Sequence, residues 1–179
     1  TSRVFFLFLM GIITIFNIIY FKMFEQIYTY FTLETLYVWL NIGVLPFWLI
    51  LVFFPQSHLC KYLVTSILPV FILAGCYVFV LYKAYFDNFD FIENFDLYFG
   101  IENLLNLFNN EYFLIIFWIH FLSINLFTGG WILNDSKKYN INKIFIAFPL
   151  ISTYLMGPMG LFLYWIIRIF YSKRLSLFD

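Results

Sequence analysis

Among the side chains that could do chemistry in this 179-residue chain, His120 comes first. It sits in the run EYFLIIFWIHFLSINLFTGGW, with Trp118, Ser123, Asn125 and Thr128 nearby and no charge between Glu111 and Asp135. An imidazole in an apolar run can ligate a haem iron, relay a proton, hold a polar lipid or bond a neighbouring helix. A bis-His haem needs a second histidine, and His58, the other one, falls in a short loop. A helix turns about 100° per residue, so positions 120 and 125 point about 140° apart, whereas His120 and Ser123 share a face. The two cysteines, Cys60 and Cys76, form no CxxC or Cys/His pattern of zinc or redox type. Phosphate-binding glycine loops, HExxH, GxSxG and SxxK are absent from the sequence. No metal or cofactor motif emerges, and no catalytic set.

The elements that must position these residues are membrane helices. Hydrophobic residues make up 64% of the chain and charged residues 11%, against about 25% charged in soluble domains. A chain this small cannot hide so much apolar surface in one core, which excludes a soluble enzyme, a nucleic-acid binder and a disordered segment. Uncharged runs cover Val4–Phe21, Thr35–Phe54, Tyr62–Tyr82, Tyr112–Asn134 and Ile144–Ile167. Crossing the hydrocarbon takes about 20 apolar residues. The expected fold is therefore all-α, an integral membrane bundle of about five helices. The first run is read as a retained helix because no small-residue cleavage site follows it. Tyr37, Trp39, Tyr62, Tyr82, Tyr112, Trp131 and Tyr171 near the run ends suit interfacial belts. Pro46, Pro69 and Pro149 fall within runs and can kink them, and Gly157, Pro158 and Gly160 mark a kink or a close helix approach.

Five alternating spans leave the basic residues tied. Arg3, Lys61, Lys137, Lys138 and Lys143 lie on one side; Lys22, Lys83, Arg168, Lys173 and Arg174 lie on the other. The positive-inside rule then selects no orientation. No carboxylate falls within the runs, which disfavours a proton-coupled transporter, and the spans barely supply a polar path. Residues 84–110 are predicted to lie outside the hydrocarbon. There Phe91, Phe95 and Phe99 recur at a spacing that forms one helical stripe for a protein partner or for capping the protein's own helices. Lys137, Lys138 and Lys143, and Arg168, Lys173 and Arg174, are expected to meet anionic lipid head groups such as cardiolipin, or to anchor by snorkelling.

Three stretches carry a family resemblance: LNIGVLPFWLILVFFP (Leu40–Pro55), WIHFLSINLFTGGWILND (Trp118–Asp135) and GPMGLFLYWIIR (Gly157–Arg168). Their order resembles the four-helix abscisic-acid-deficient-four-like membrane proteins, whose plant members are associated with neoxanthin formation from violaxanthin in plastids. The resemblance covers residues 35–168. It divides the chain into an added N-terminal helix and connection (1–34), a four-helix core (35–168) and a basic tail (169–179). It places the family motif on Asn41, Pro46, Trp48, Pro55, Trp118, His120, Leu126, Phe127, Gly129, Trp131, Pro158 and Gly160. Two positions depart from it: Asn125 stands where the family has Asp, and Gly130 where Arg is common. Opening an epoxide needs proton transfer or charge stabilisation, so these losses favour a member kept for its shape. The sequence is accordingly read as an accessory subunit, without turnover of its own, of an organellar energy-transducing complex. A mitochondrial respiratory chain or ATP synthase is the expected setting, with other membrane subunits and lipids as partners. The alternative is a carotenoid-modifying plastid protein holding an apolar ligand with Trp118, His120 and Asn125.

Overall fold

The computed structural model describes Thr14, Lys22 and residues 30–173. The first apolar run, apart from Thr14, and Arg174 lie outside the described residues. The chain divides into two units, Thr1–Trp39 and Leu40–Asp179. It is an all-α membrane protein, with no strand among the described residues. Among the described residues, three helical segments are long and apolar enough to cross a membrane: Leu33–Phe53, Cys60–Phe86 and Glu111–Lys138.

Helix α1 spans Leu33–Phe53 and starts where Thr32 Oγ1 accepts the Thr35 N–H at 3.1 Å. Within the second unit its buried residues are Leu40, Val44, Trp48 and Leu51, a stripe at helical spacing. Pro46 sits in the helix on an exposed position. The second span opens with a π-helical turn, Cys60–Val64, closed by the Thr65 N–H donating to Cys60 O at 2.9 Å. The Thr65 and Ser66 hydroxyls donate to Lys61 O at 3.0 Å and Leu63 O at 2.8 Å, which satisfies carbonyls that a break in the helix would leave bare in lipid. Helix α2, Leu68–Phe86, follows, with Pro69 in its first turn. Its missing N–H costs nothing there, so Pro69 starts a helix where a mid-span kink was expected.

The connection between the second and third spans holds a 3₁₀ segment, Glu93–Phe99, and helix α3, Ile101–Phe108. The expected α-helical stripe of Phe91, Phe95 and Phe99 does not form. A 3₁₀ helix repeats every three residues, so Ile92, Phe95 and Tyr98 share its exposure instead, and Gly100 (φ 155°) ends it. Phe108 folds α3 onto the next helix through edge contacts with Phe113 and Phe117 at 5.3 and 4.9 Å.

Helix α4, Glu111–Lys138, is 28 residues long, about 42 Å, enough to emerge from both sides of about 30 Å of hydrocarbon. Asn110 caps it, accepting the Tyr112 and Phe113 N–H groups at 2.9 and 3.3 Å. Glu111 at its start and Lys137 and Lys138 at its end complement the helix dipole. Ile115, Ile119, Leu122, Leu126, Gly129 and Leu133 form its buried seam, alternating steps of four and three.

The last apolar run departs most from expectation. Ile144–Ile167 is not one span but a helical hairpin: α5, Lys143–Met156, and α6, Pro158–Ser172. With 14 and 15 residues, each arm reaches only about 21–23 Å. Gly157 makes the turn at φ 47°, ψ −91°, a conformation that favours glycine, and Pro158 begins the return helix. Gly160 lies so close to α5 that a Cβ there would collide with Thr153 and with the Pro149 carbonyl. The two arms therefore touch nearly backbone to backbone.

Candidate functional site

Two ladders of side chains at four-residue spacing face each other. Helix α4 presents Trp131 and Asp135, with Tyr139 just past its end; α6 presents Tyr164 and Arg168. Residues four apart share a helix face, so folding the hairpin back brings the ladders together. Asp135 Oδ2 accepts the Tyr164 hydroxyl at 2.6 Å and the Arg168 Nε–H at 2.7 Å. Arg168 Nη2 donates to the Tyr139 hydroxyl at 3.0 Å. The guanidinium carbon also lies 4.9 Å from the ring centres of both Tyr139 and Trp165, within cation–π range. Arg168 is 0% exposed and Asp135 6%. Arg168 Nη1 is buried without a partner among the described residues.

Trp131 forms the wall between this cluster and a cavity. Its ring meets Tyr164 edge-on at 5.8 Å and stacks near Trp165 at 6.4 Å. The cavity, about 510 Å³, lies between the helix break at residues 64–67 and α4, with Trp131, Leu126, Phe127, Gly130 and Asn134 on the α4 side. Its volume falls in the range of small-molecule sites, about 300–1,000 Å³, and its lining is mostly apolar with a few polar groups. The Thr65 and Ser66 hydroxyls donate to backbone, and Ser66 Oγ also accepts the Leu68 N–H at 3.2 Å; a hydroxyl oxygen has two acceptor sites, so each can still accept from a ligand hydroxyl. A Cβ added at Gly130 would meet nothing within 4 Å.

The residues singled out in the sequence disperse over several places. Asn41 Oδ1 accepts the Trp118 indole N–H at 3.2 Å. This bond ties α1 to α4. Trp48 is buried and lies so close to Gly129 that a Cβ there would sit 2.8 Å from its ring; it also packs against Tyr154 at 5.4 Å. Asn125 is buried at the hairpin tip, its Oδ1 where a Cβ on Gly157 would fall and its Nδ2 unpartnered among the described residues. His120 is exposed on α4. Trp118, His120 and Asn125 do not line the cavity; of the motif positions Leu126, Phe127 and Trp131 do. Lys137, Lys138, Lys143 and Lys173 are exposed. Arg168, expected among lipid head groups, is instead buried in the ion pair, because the hairpin returns it to α4. Asp135, expected to lie beyond its run, is buried inside the helix. Both cysteines are free thiols. No cluster of His, Cys, Asp and Glu able to hold a metal occurs among the described residues.

A family described as ABA4-like, ABA DEFICIENT 4-like, matches residues 35–164. The chain belongs to the ABA4-like family. The match ends within the hairpin's return helix, so both α4 and Tyr164 fall inside it. A relative, Protein ABA DEFICIENT 4, chloroplastic, from Arabidopsis thaliana, is 28% identical over 102 residues, 55% of this chain and 46% of that protein. The chain thus spans about half the length of the curated relative it matches. No solved structure matches. Membership in this family and the chloroplast relative overturn the reading as a subunit of a mitochondrial complex.

Proposed function

We propose that this chain is a carotenoid-modifying membrane protein of the neoxanthin-forming type, working in a plastid membrane. Family membership across residues 35–164 carries the reading, and the chloroplast relative supports the compartment. The cavity beside Trp131 supplies a matching chemistry. A xanthophyll is a long apolar polyene with hydroxylated ring ends. An apolar, aromatic-walled cavity in the flank of a membrane bundle accepts a ring end, while the Thr65 and Ser66 oxygens accept its hydroxyl hydrogen. Trp131 packs against the face of the ring end, and the Asp135–Arg168–Tyr164 cluster behind it fixes the indole. Rigid support of this kind keeps a bound ligand in one pose.

Expression in a bacterial strain that accumulates violaxanthin tests the proposal by chromatography of extracted and co-purified pigment. Appearance of neoxanthin, or a xanthophyll retained stoichiometrically by the purified protein, is the expected result. An unchanged pigment profile together with pigment-free protein would refute it.

A further inference from the structure

The hairpin changes the charge balance across the membrane. If Ile144–Ile167 crossed once, Lys173 would lie opposite Lys138. Instead Arg168 bonds Asp135 and Tyr139, so α6 ends beside the end of α4. Lys137 lies within electrostatic reach of Cys60, which sets the start of the second span at this same end. Lys143 follows Tyr139 after a short connection. At the other end, the Tyr112 hydroxyl bonds the Asp87 carboxylate, joining the end of α2 to the start of α4. Within the second unit, Lys61, Lys137, Lys138, Lys143 and Lys173 therefore share one end, all exposed. The opposite end has Lys83 and the exposed acids Asp87, Asp90, Glu102 and Glu111.

The geometry points to a membrane orientation. The lysine end faces the side from which the chain is inserted, stroma in a plastid or cytoplasm in a bacterium, and the 87–111 connection faces the far side. The positive-inside rule counts basic residues in short connections near the span ends, and five lysines against one now decide where alternating spans tied. The cavity belongs to the same half. Its walls, residues 64–67 and 126–134, lie within a few turns of Lys61 and Lys137. A xanthophyll ring end would thus enter from the leaflet on the insertion side. This last step rests on the carotenoid reading; the orientation does not.

The full chain expressed in a bacterial inner membrane tests it with a membrane-impermeant maleimide and no pigment. On a Cys60→Ala, Cys76→Ala background, single cysteines replace Lys138, Lys173 and Glu102, all exposed. Spheroplasts should label Glu102→Cys alone, and inverted vesicles Lys138→Cys and Lys173→Cys alone. Labelling of positions 138 and 173 from opposite sides would overturn the hairpin. Labelling of both from the periplasmic side would overturn the orientation. An epitope placed after Asp179 on the chain with its native cysteines gives a second measurement. Added protease should remove it in inverted vesicles and spare it in spheroplasts; the converse would also overturn the orientation. Loss of pigment activity with correct labelling would count against the carotenoid reading only.

Discussion

Replacing Arg168 by methionine keeps most of the side chain's volume and removes its charge and its donors. Asp135, a buried residue, then loses the Nε–H at 2.7 Å and keeps the Tyr164 hydroxyl. Removing one partner of a buried ion pair costs about 3–5 kcal/mol, because the remaining charge is uncompensated. The loss of two cation–π contacts with Tyr139 and Trp165 adds to this, at about 0.5–2 kcal/mol each. Since each 1.4 kcal/mol is about tenfold, Arg168→Met should lower the folding equilibrium by at least two orders of magnitude. Asp135→Leu alone should be comparably harmful, since it strands the guanidinium. The double variant Asp135→Leu, Arg168→Met should recover most of the loss, as buried ion pairs replaced by apolar residues often do. Reversible unfolding of the purified protein in mixed micelles, followed by far-ultraviolet circular dichroism, measures all four corners of the cycle. A coupling energy below about 0.5 kcal/mol, or an Arg168→Met cost within the range of surface pairs, about 0–1 kcal/mol, would refute the buried pair and with it the returning hairpin.

Gly157→Ala places a Cβ on a residue at φ 47° and against Asn125; a destabilisation of at least about 1–2 kcal/mol is expected in the same unfolding assay. Trp118→Phe removes the bond to Asn41 and should cost about 1 kcal/mol in the same assay. Gly130→Leu meets open space and gains about 1 kcal/mol of helix propensity. It should leave the melting temperature unchanged or raise it while abolishing xanthophyll retention, which pigment absorbance of the purified protein reads directly.

The long helices were legible because composition and uncharged length suffice to find them. Thr35–Phe54 and Tyr112–Asn134 in the sequence became Leu33–Phe53 and Glu111–Lys138 in the structure. The hairpin was not, because Ile144–Ile167 has the length and apolarity of one span, and hydropathy does not register direction. Its signal was nevertheless present: Gly157-Pro158 at the middle of the run, with Gly160 one turn on. The ion pair was hidden by the same error, which placed Asp135 and Arg168 on opposite membrane faces. The matched spacings of Trp131, Asp135 and Tyr139, and of Tyr164 and Arg168, could have exposed it. An acid and a base each flanked by aromatics at four-residue steps are two faces seeking one another. His120 drew attention by residue type and by the family motif, yet it is exposed on α4.

The π-helical turn at Cys60–Val64 has a bearing on how this fold tolerates change in length. A residue inserted into an ordinary α-helix rotates everything after it by about 100° and would swing Leu73, Val80 and Ala84 off their packing face. A wide turn takes up one extra residue locally and passes the downstream helix on in its original phase. Homologues that gain or lose a single residue around positions 60–67 can therefore keep the rest of the second span in register, and gaps in a family alignment should collect there in preference to α4.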